Sequence, residues 1–232
     1  MLSKTQLNTM GNHILKIKSI NNVTHDVLRI VTDKPTKFEF KPGQAADIAI
    51  NKNGWLKEER PYSFTNLPSN DSLEFTIKTY PEQESVTNEL LQLKPNDELV
   101  LHGVFGAITY KGEGVFIAGG AGITPFISIF RNLKAKNLIG NNMLLFANKT
   151  KADIILEKEF KTLLGDAFIN ILSEERVEGY HYGRITEEFL KTNITNFNQQ
   201  FYICGPPPMI KDIEKQLINL GVQENNITKE IF

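Results

Sequence analysis

The chain has one cysteine, Cys204. That excludes an intrachain disulfide and an iron–sulfur cluster ligated by cysteines of this chain, and makes a reducing cytoplasm the default expectation. Histidine is scarce too. His13, His25, His102 and His181 are scattered with no close pair at metal-ligand spacing, so no metal site is expected. No apolar run approaches membrane-spanning length. Residues 1–12 are polar and lack the apolar core of a signal peptide, which makes them read as a loose tail. Charge of one sign is also missing. Twenty-six Lys and Arg against 27 Asp and Glu leave a formal net charge of −1, no basis for expecting nucleic acid or an anionic membrane as partner.

What remains is a 232-residue chain that is 41% apolar and 23% charged, the composition of a globular protein with room for two modest domains. Residues 13–110 keep a period of two. Leu15 and Ile17, Leu28 and Ile30, Phe38 and Phe40, Ile48 and Ile50, Leu73, Phe75 and Ile77, and Leu99 and Leu101 alternate with polar residues, separated by turn formers such as Pro42-Gly43 and Asn53-Gly54. Six or so short strands predict a small closed antiparallel barrel, with one short helix over residues 87–92. The polar, twice-glycine segment 111–114 reads as a linker. Beyond it, residues 111–232 alternate apolar runs with helical spacings, which predicts a doubly wound parallel sheet.

Three stretches carry chemistry. In the first, the run Val115-Phe116-Ile117-Ala118 stops in Gly119-Gly120-Ala121-Gly122, followed by Ile123-Thr124-Pro125. Thr124 suits a helix cap and Pro125 a first helical position. A strand, a glycine loop and a helix start make an anion site, or equally a tight strand-to-helix turn; the spacing is not G-x-G-x-x-G. The second stretch, Cys204-Gly205-Pro206-Pro207-Pro208-Met209, ends a later strand at the sheet's carboxyl edge, where Cys204 taken alone is a small buried residue. The third, Arg60-Pro61-Tyr62-Ser63, offers a phosphate partner, a stacking ring and a hydroxyl, or is an ordinary edge strand.

Taken in order, the three resemble the ferredoxin–NADP reductase family. R-x-Y-[ST] stands as Arg60 to Ser63, G-G-x-G-[IV]-T-P as Gly119 to Pro125, and C-G-P-x-x-M as Cys204 to Met209. F-x-P-G-Q (Phe40 to Gln44) and D-x-[LV]-x-L-x-G-x-F-G (Asp97 to Gly106) also match, and Asn148-Lys149-Thr150 with Asp153 is similar to the cytochrome-reductase branch. The resemblance implies an FAD-binding barrel and an NAD(P)-binding domain. Arg60 would bind a flavin phosphate, Tyr62 would stack on the isoalloxazine and Ser63 would hydrogen-bond its N5. The following family segment reads Ile77-Lys78-Thr79-Tyr80 and Ser85-Val86-Thr87, with Thr87 matching a pyrophosphate-binding hydroxyl and Ser85 replacing the usual glycine. Tyr80 is either an adenine-stacking ring or a surface aromatic. Gly120, Ala121, Gly122 and Thr124 would hold the dinucleotide with Asn148, Lys149, Gly205, Pro206, Pro207 and Met209, and Cys204 would lie against the nicotinamide. Lys229-Glu230-Ile231-Phe232 resembles an ending in which Glu230 relays a proton and Phe232 covers the flavin. The plainer alternative is a last strand with Phe232 as an end-plug.

The function so implied is an FAD-dependent NAD(P)H oxidoreductase that passes electrons to a one-electron carrier in a separate chain, a ferredoxin, flavodoxin or cytochrome. Lys149 and Arg176 favour NADPH, Asp153, Glu174 and Glu175 favour NADH, and the branch resemblance leans to NADH. The rival readings are a reductase of free flavins, an electron-transfer subunit of a larger oxygenase or dehydrogenase, and a nucleotide-binding protein without redox turnover.

Overall fold

Alternation of buried and exposed side chains builds the first half of the molecule, whose computed structural model describes residues 12–80, 85–106 and 108–230. Apart from Asn12, the expected N-terminal tail lies outside the described residues. Strands β1 (His13–Asn22), β2 (Val27–Asp33), β3 (Ala45–Ile50), β4 (Arg60–Ser63), β5 (Ser72–Lys78) and β6 (Glu98–Phe105) form one antiparallel sheet ordered β4-β3-β6-β1-β2-β5. Its two ends meet through an antiparallel bridge between Phe64 and Phe75, so the sheet closes into the expected barrel. Register shifts between Ile17 and Ser19 and between Ala46 and Ile48 supply the local bends that closure needs.

One expected strand is absent. Phe38 and Phe40 alternate with exposed neighbours as a strand would, yet the segment makes no ladder. Pro35 and Pro42 flank it, each without an N–H to donate, and Lys37 is left-handed at φ 63°. Both rings are nonetheless buried against Phe64, Phe40 stacked at 4.3 Å between centroids and Phe38 edge-on at 5.8 Å. The sixth strand is β4 instead. The short helix is α1 (Val86–Glu89), continued by a 3₁₀ turn over Leu90–Gln92.

The second half is a six-stranded sheet, parallel throughout, ordered β10-β9-β8-β7-β11-β12. Its elements are β7 (Gly114–Gly119), α2 (Thr124–Ala135), β8 (Met143–Asn148), α3 (Glu157–Leu164), β9 (Phe168–Leu172), β10 (His181–Tyr182), α4 (Glu187–Asn193), β11 (Gln200–Cys204), α5 (Pro207–Asn219) and β12 (Ile227–Glu230). Every residue of β7 is buried, which explains its unbroken apolar run. The chain builds outward from β7 through β8 and β9 and later returns to β7's other side as β11. The order therefore reverses between β7 and β11, the place where ligands bind in such sheets.

Two features fix how the halves meet. Helix α2 is buried without a break from Thr124 to Phe130, because it covers the parallel sheet with one side and meets the barrel with the other. Gly43 of the barrel approaches it closely: the Gly43 N–H donates to Ser128 Oγ at 2.9 Å, and a Cβ at Gly43 would lie 3.1 Å from Ile129 Cδ1 and 2.2 Å from the carbonyl oxygen of Ile108, between β6 and β7. The connection between the sheets is held from β11. The Tyr202 hydroxyl accepts the N–H groups of Lys111 and Gly112 at 2.8 and 3.1 Å, and donates to the Gly112 carbonyl at 2.8 Å.

Phe64 closes the barrel and carries both plugging rings, so Phe64→Ala should cost about 3–5 kcal/mol of unfolding free energy. Chemical denaturation measures this, and a loss under 1 kcal/mol would show that the bridge does not hold the barrel.

Candidate functional site

The carboxyl ends of β7 and β11 lie side by side, Ala118 opposite Cys204. Their two loops are packed into one another, and this divides the glycines into two kinds. A Cβ at Gly122 would fall 2.2 Å from the Cys204 carbonyl oxygen, and one at Gly119 would fall 2.4 Å from Met209 Sδ. Gly205 is equally constrained, 2.8 Å from Met209 Cε. These three are glycine because the loops interlock. Gly120 has nothing within 4 Å of its Cβ direction and a left-handed φ of 51°, so among the glycines of these two loops it combines backbone need with free space. Gly120, Ala121, Gly122 and Ile123 form a 3₁₀ turn leading into α2, and Pro206 and Pro207 open α5.

Thr124 does not cap its helix. Ile123 holds the cap position, and the Thr124 hydroxyl, nearly buried, donates instead across the boundary to Ser63 Oγ at 3.3 Å. The barrel's R-x-Y-S strand and the glycine loop thus converge on one pair of hydroxyls. Beside Ser63, the Tyr62 hydroxyl is buried with no hydrogen-bond partner among the described residues. Burial pushes its pKa up, against a smaller opposing effect of Arg60, so the phenol stays neutral. Pro61 is half-buried. Arg60 is exposed. Its guanidinium donates to the Glu59 carbonyl at 2.7 Å and lies 3.5 Å from Glu58, an exposed ion pair that leaves it free to take an anion.

The remaining expected residues divide. Ile77 and Val86 are buried in the barrel cluster and present no side chain to a ligand. Lys78 is engaged: its ammonium lies 2.7 Å from Asp26 and 3.8 Å from Asp153. Tyr80 is 46% exposed at the end of β5. The Ser85 and Thr87 hydroxyls hydrogen-bond each other at 2.9 Å at the start of α1. Asn148, ending β8, is buried with both amide atoms unpartnered among the described residues. Lys149 pairs with Glu174 at 3.3 Å, both side chains more than half exposed. Arg176 lies over the Tyr182 ring at 3.8 Å. Phe232 lies outside the described residues.

Cys204 is fully buried, and its β12 partner in register is Glu230, itself 7% exposed. Burial, then the Glu230 charge, pushes the thiol pKa up. The thiol is therefore held neutral, and it packs in the core between the sheet and α2. Ligand atoms of His25, Asp26 and Asp153 come within 4.8 Å of one another, a grouping the sequence spacing hid. The Lys78 ammonium already supplies its positive charge, and Asp153 is further committed to the Thr150 N–H and hydroxyl at 2.8 and 2.7 Å.

Comparison with known proteins agrees with this division of labour. A family model described as an FAD-binding domain matches residues 12–124, and one described as an oxidoreductase NAD-binding domain matches residues 116–215. The chain is 30% identical to NADH-cytochrome b5 reductase 1 of Coccidioides immitis over 95% of its own length and 78% of that protein. It is 31% identical to the reductase component of propane 2-monooxygenase of Mycolicibacterium smegmatis, covering 84% of this chain but 60% of that longer protein. Its fold is that of a ferredoxin NADP⁺ reductase from Neisseria gonorrhoeae solved with FAD and NADP bound, with a TM-score of 0.83 at 20% identity over 95% of this chain and 98% of that one.

Two substitutions separate the two kinds of glycine. Gly122→Ala should cost about 1–3 kcal/mol of stability by overpacking. Gly120→Ala should cost about 1–2 kcal/mol through its left-handed backbone and should also weaken nicotinamide-nucleotide binding. Thermal denaturation with and without nucleotide separates them, and equal nucleotide affinity in wild type and Gly120→Ala would remove Gly120 from the site. In the same preparations Cys204 should resist alkylation by iodoacetamide until the protein is unfolded; prompt labelling of the folded chain would contradict its burial.

Proposed function

The chain belongs to the ferredoxin–NADP reductase-like family of FAD- and NAD-binding oxidoreductases, and on that premise we propose that it takes a hydride from a reduced nicotinamide and passes the electrons singly to a separate carrier protein. The observation that supports this reading best is the Thr124–Ser63 hydrogen bond, which joins the nucleotide loop to the flavin motif. A nicotinamide held by one and a flavin held by the other would be brought within reach, and such catalysis is largely orientation. The same reading divides the chain into a flavin unit over residues 13–110 and a nicotinamide unit from residue 111.

The residues present fit both groups. A buried, partnerless Tyr62 hydroxyl and the buried Asn148 amide are polar groups that a ligand would satisfy. Gly120 offers backbone at a helix-leading turn with open space before it. Arg60 would hold a flavin phosphate, Tyr62 would line the ring, and Ser63 would hydrogen-bond its edge. The flavin, when bound, supplies the conversion from two-electron to one-electron chemistry. The chain's residues contribute binding and orientation, and the exclusion of water by the buried Ser63 and Thr124. Of the expected catalytic groups, Ser63 and Thr124 carry the reading, while Cys204 contributes packing.

For the donor we favour NADH. Lys149 is paired with Glu174 and Arg176 lies over the Tyr182 ring, so both cations that would favour a 2′-phosphate are already engaged, and the likeness to NADH-cytochrome b5 reductase 1 points the same way. A second reading, that the chain serves an oxygenase, is favoured by relatives with that role in their names. They include the propane 2-monooxygenase reductase component and the glycine betaine monooxygenase reductase subunit of Chromohalobacter salexigens. The chain spans 60% of the first of these and 66% of the second, so the whole activity and its acceptor stay part of the proposal. Among the described residues no helix is long and apolar enough to cross a membrane.

Anaerobic stopped-flow with NADH and NADPH in parallel tests the reading. The flavin absorbance should bleach with NADH faster than with NADPH, and no bleaching by either would refute hydride transfer. Ser63→Ala should slow bleaching on the order of tenfold, the worth of one hydrogen bond, with FAD still bound; an unchanged rate would remove Ser63 from the mechanism.

A further inference from the structure

Three polar residues stand on one side of helix α2: Thr124, Ser128 and Arg131, at i, i+4 and i+7. Each meets a different part of the barrel. Thr124 reaches Ser63, Ser128 accepts from the Gly43 N–H, and Arg131 donates through Nη1 to the Thr65 carbonyl at 2.8 Å and to Glu74 Oε1 at 2.6 Å. The other side of the Arg131 guanidinium is locked to α3, with Nε and Nη2 donating to the two Glu159 carboxylate oxygens at 2.7 and 2.8 Å. Glu74 is buried and ionised: burial raises its pKa, but Arg131, Arg29 and the Thr65 hydroxyl together pull it below the usual carboxylate range. Its second oxygen is taken by Arg29 at 2.6–2.7 Å.

Thr65 lies two residues beyond Ser63. The fork of Arg131 therefore grips the segment just beyond the flavin-motif strand β4, together with Glu74 of β5, from the helix that follows the nucleotide loop. Resting on the function proposed above, we propose that Arg131 is a positioning residue for hydride transfer: it sets the distance and angle between the two nucleotide sites by fixing α2 to the Ser63–Thr65 segment. A lysine could not do this, having a single compact charge where two carboxylates and a carbonyl must be met in one plane. Two other charged contacts across the boundary among the described residues, Lys78 to Asp153 at 3.8 Å and His25 to Asp153 at 3.7 Å, are longer, and Lys78 is shared with Asp26.

The test uses FAD-loaded protein with Arg131→Ala and Arg131→Lys, and two measurements. In stopped-flow, the limiting rate of flavin reduction in the FAD-loaded fraction should fall about 10- to 100-fold for Arg131→Ala, as expected for small misplacements of reacting groups. Arg131→Lys should fall between that variant and wild type, and the NADH concentration giving half the limiting rate should be unchanged. Independently, nitroxides at Lys18→Cys and Lys215→Cys, both exposed, report the distance between the halves by pulsed electron resonance. One narrow distance in the wild type should broaden in Arg131→Ala. An unchanged limiting rate overturns the proposal, as does a loss explained wholly by missing FAD. A narrow distance distribution in the variant overturns it too. If Arg131→Ala does not fold, Arg131→Lys carries both measurements under the same criteria. Failure of the wild type to be reduced by NADH or NADPH would sink the function reading, and the distance measurement would still decide whether Arg131 fixes the halves.

Discussion

Helix α2 has no solvent-facing side over its first two turns, and this constraint organises the rest of the molecule. A helix covering a doubly wound sheet ordinarily keeps a polar outer face. Here the outer face is spent on the barrel, so its polar residues had to find partners there or leave buried groups unsatisfied. Thr124, Ser128 and Arg131 do find them, in Ser63, the Gly43 N–H, and Thr65 with Glu74. Two half-proteins that could have been beads on a string are held in one geometry by a few buried and part-buried hydrogen bonds.

Much of this was legible in the sequence and some was not. The period of two announced a barrel, the apolar runs announced parallel strands, and three short motifs in order announced the family. Phe38 and Phe40 misled because alternation reports which side chains are buried, not whether the backbone pairs; between two prolines the rings plug the barrel without a ladder. Thr124 before Pro125 looked like a cap for a local reason and proved to serve a distant one. Ser128 and Arg131 were missed although their spacing from Thr124 is helical, since a serine and an arginine on a helix ordinarily face water. Only the structure shows that Ser128 is buried and that the Arg131 guanidinium is mostly covered. Glu74 was invisible for the same reason, a charged residue in a strand being unremarkable until its burial is known.

The glycine loop illustrates how a motif mixes causes. Gly119 and Gly122 are required by the loop from β11, and Gly120 by conformation and open space. A reading that assigned the whole loop to phosphate binding would be two-thirds about packing. The pairing of this loop with the Cys-Gly-Pro turn is itself physical: neither loop can adopt its path unless the other has no side chain in the way.

The Tyr202 hydroxyl has a consequence for how the molecule comes into being. It takes hold of Lys111 and Gly112, which leave the ribosome some ninety residues earlier. Every strand of the barrel has its pairing partners within residues 13–105, so that half can close while the rest is still being made. Asn142 ties Tyr110 and Gly114 on either side of the passage out of it, while Lys111 and Gly112 wait for the Tyr202 hydroxyl until β11 slots in beside β7. The path of the linker is then among the last things the nascent chain fixes, and a chain cut short before Tyr202 would keep the α2 contacts to the barrel while lacking this clasp.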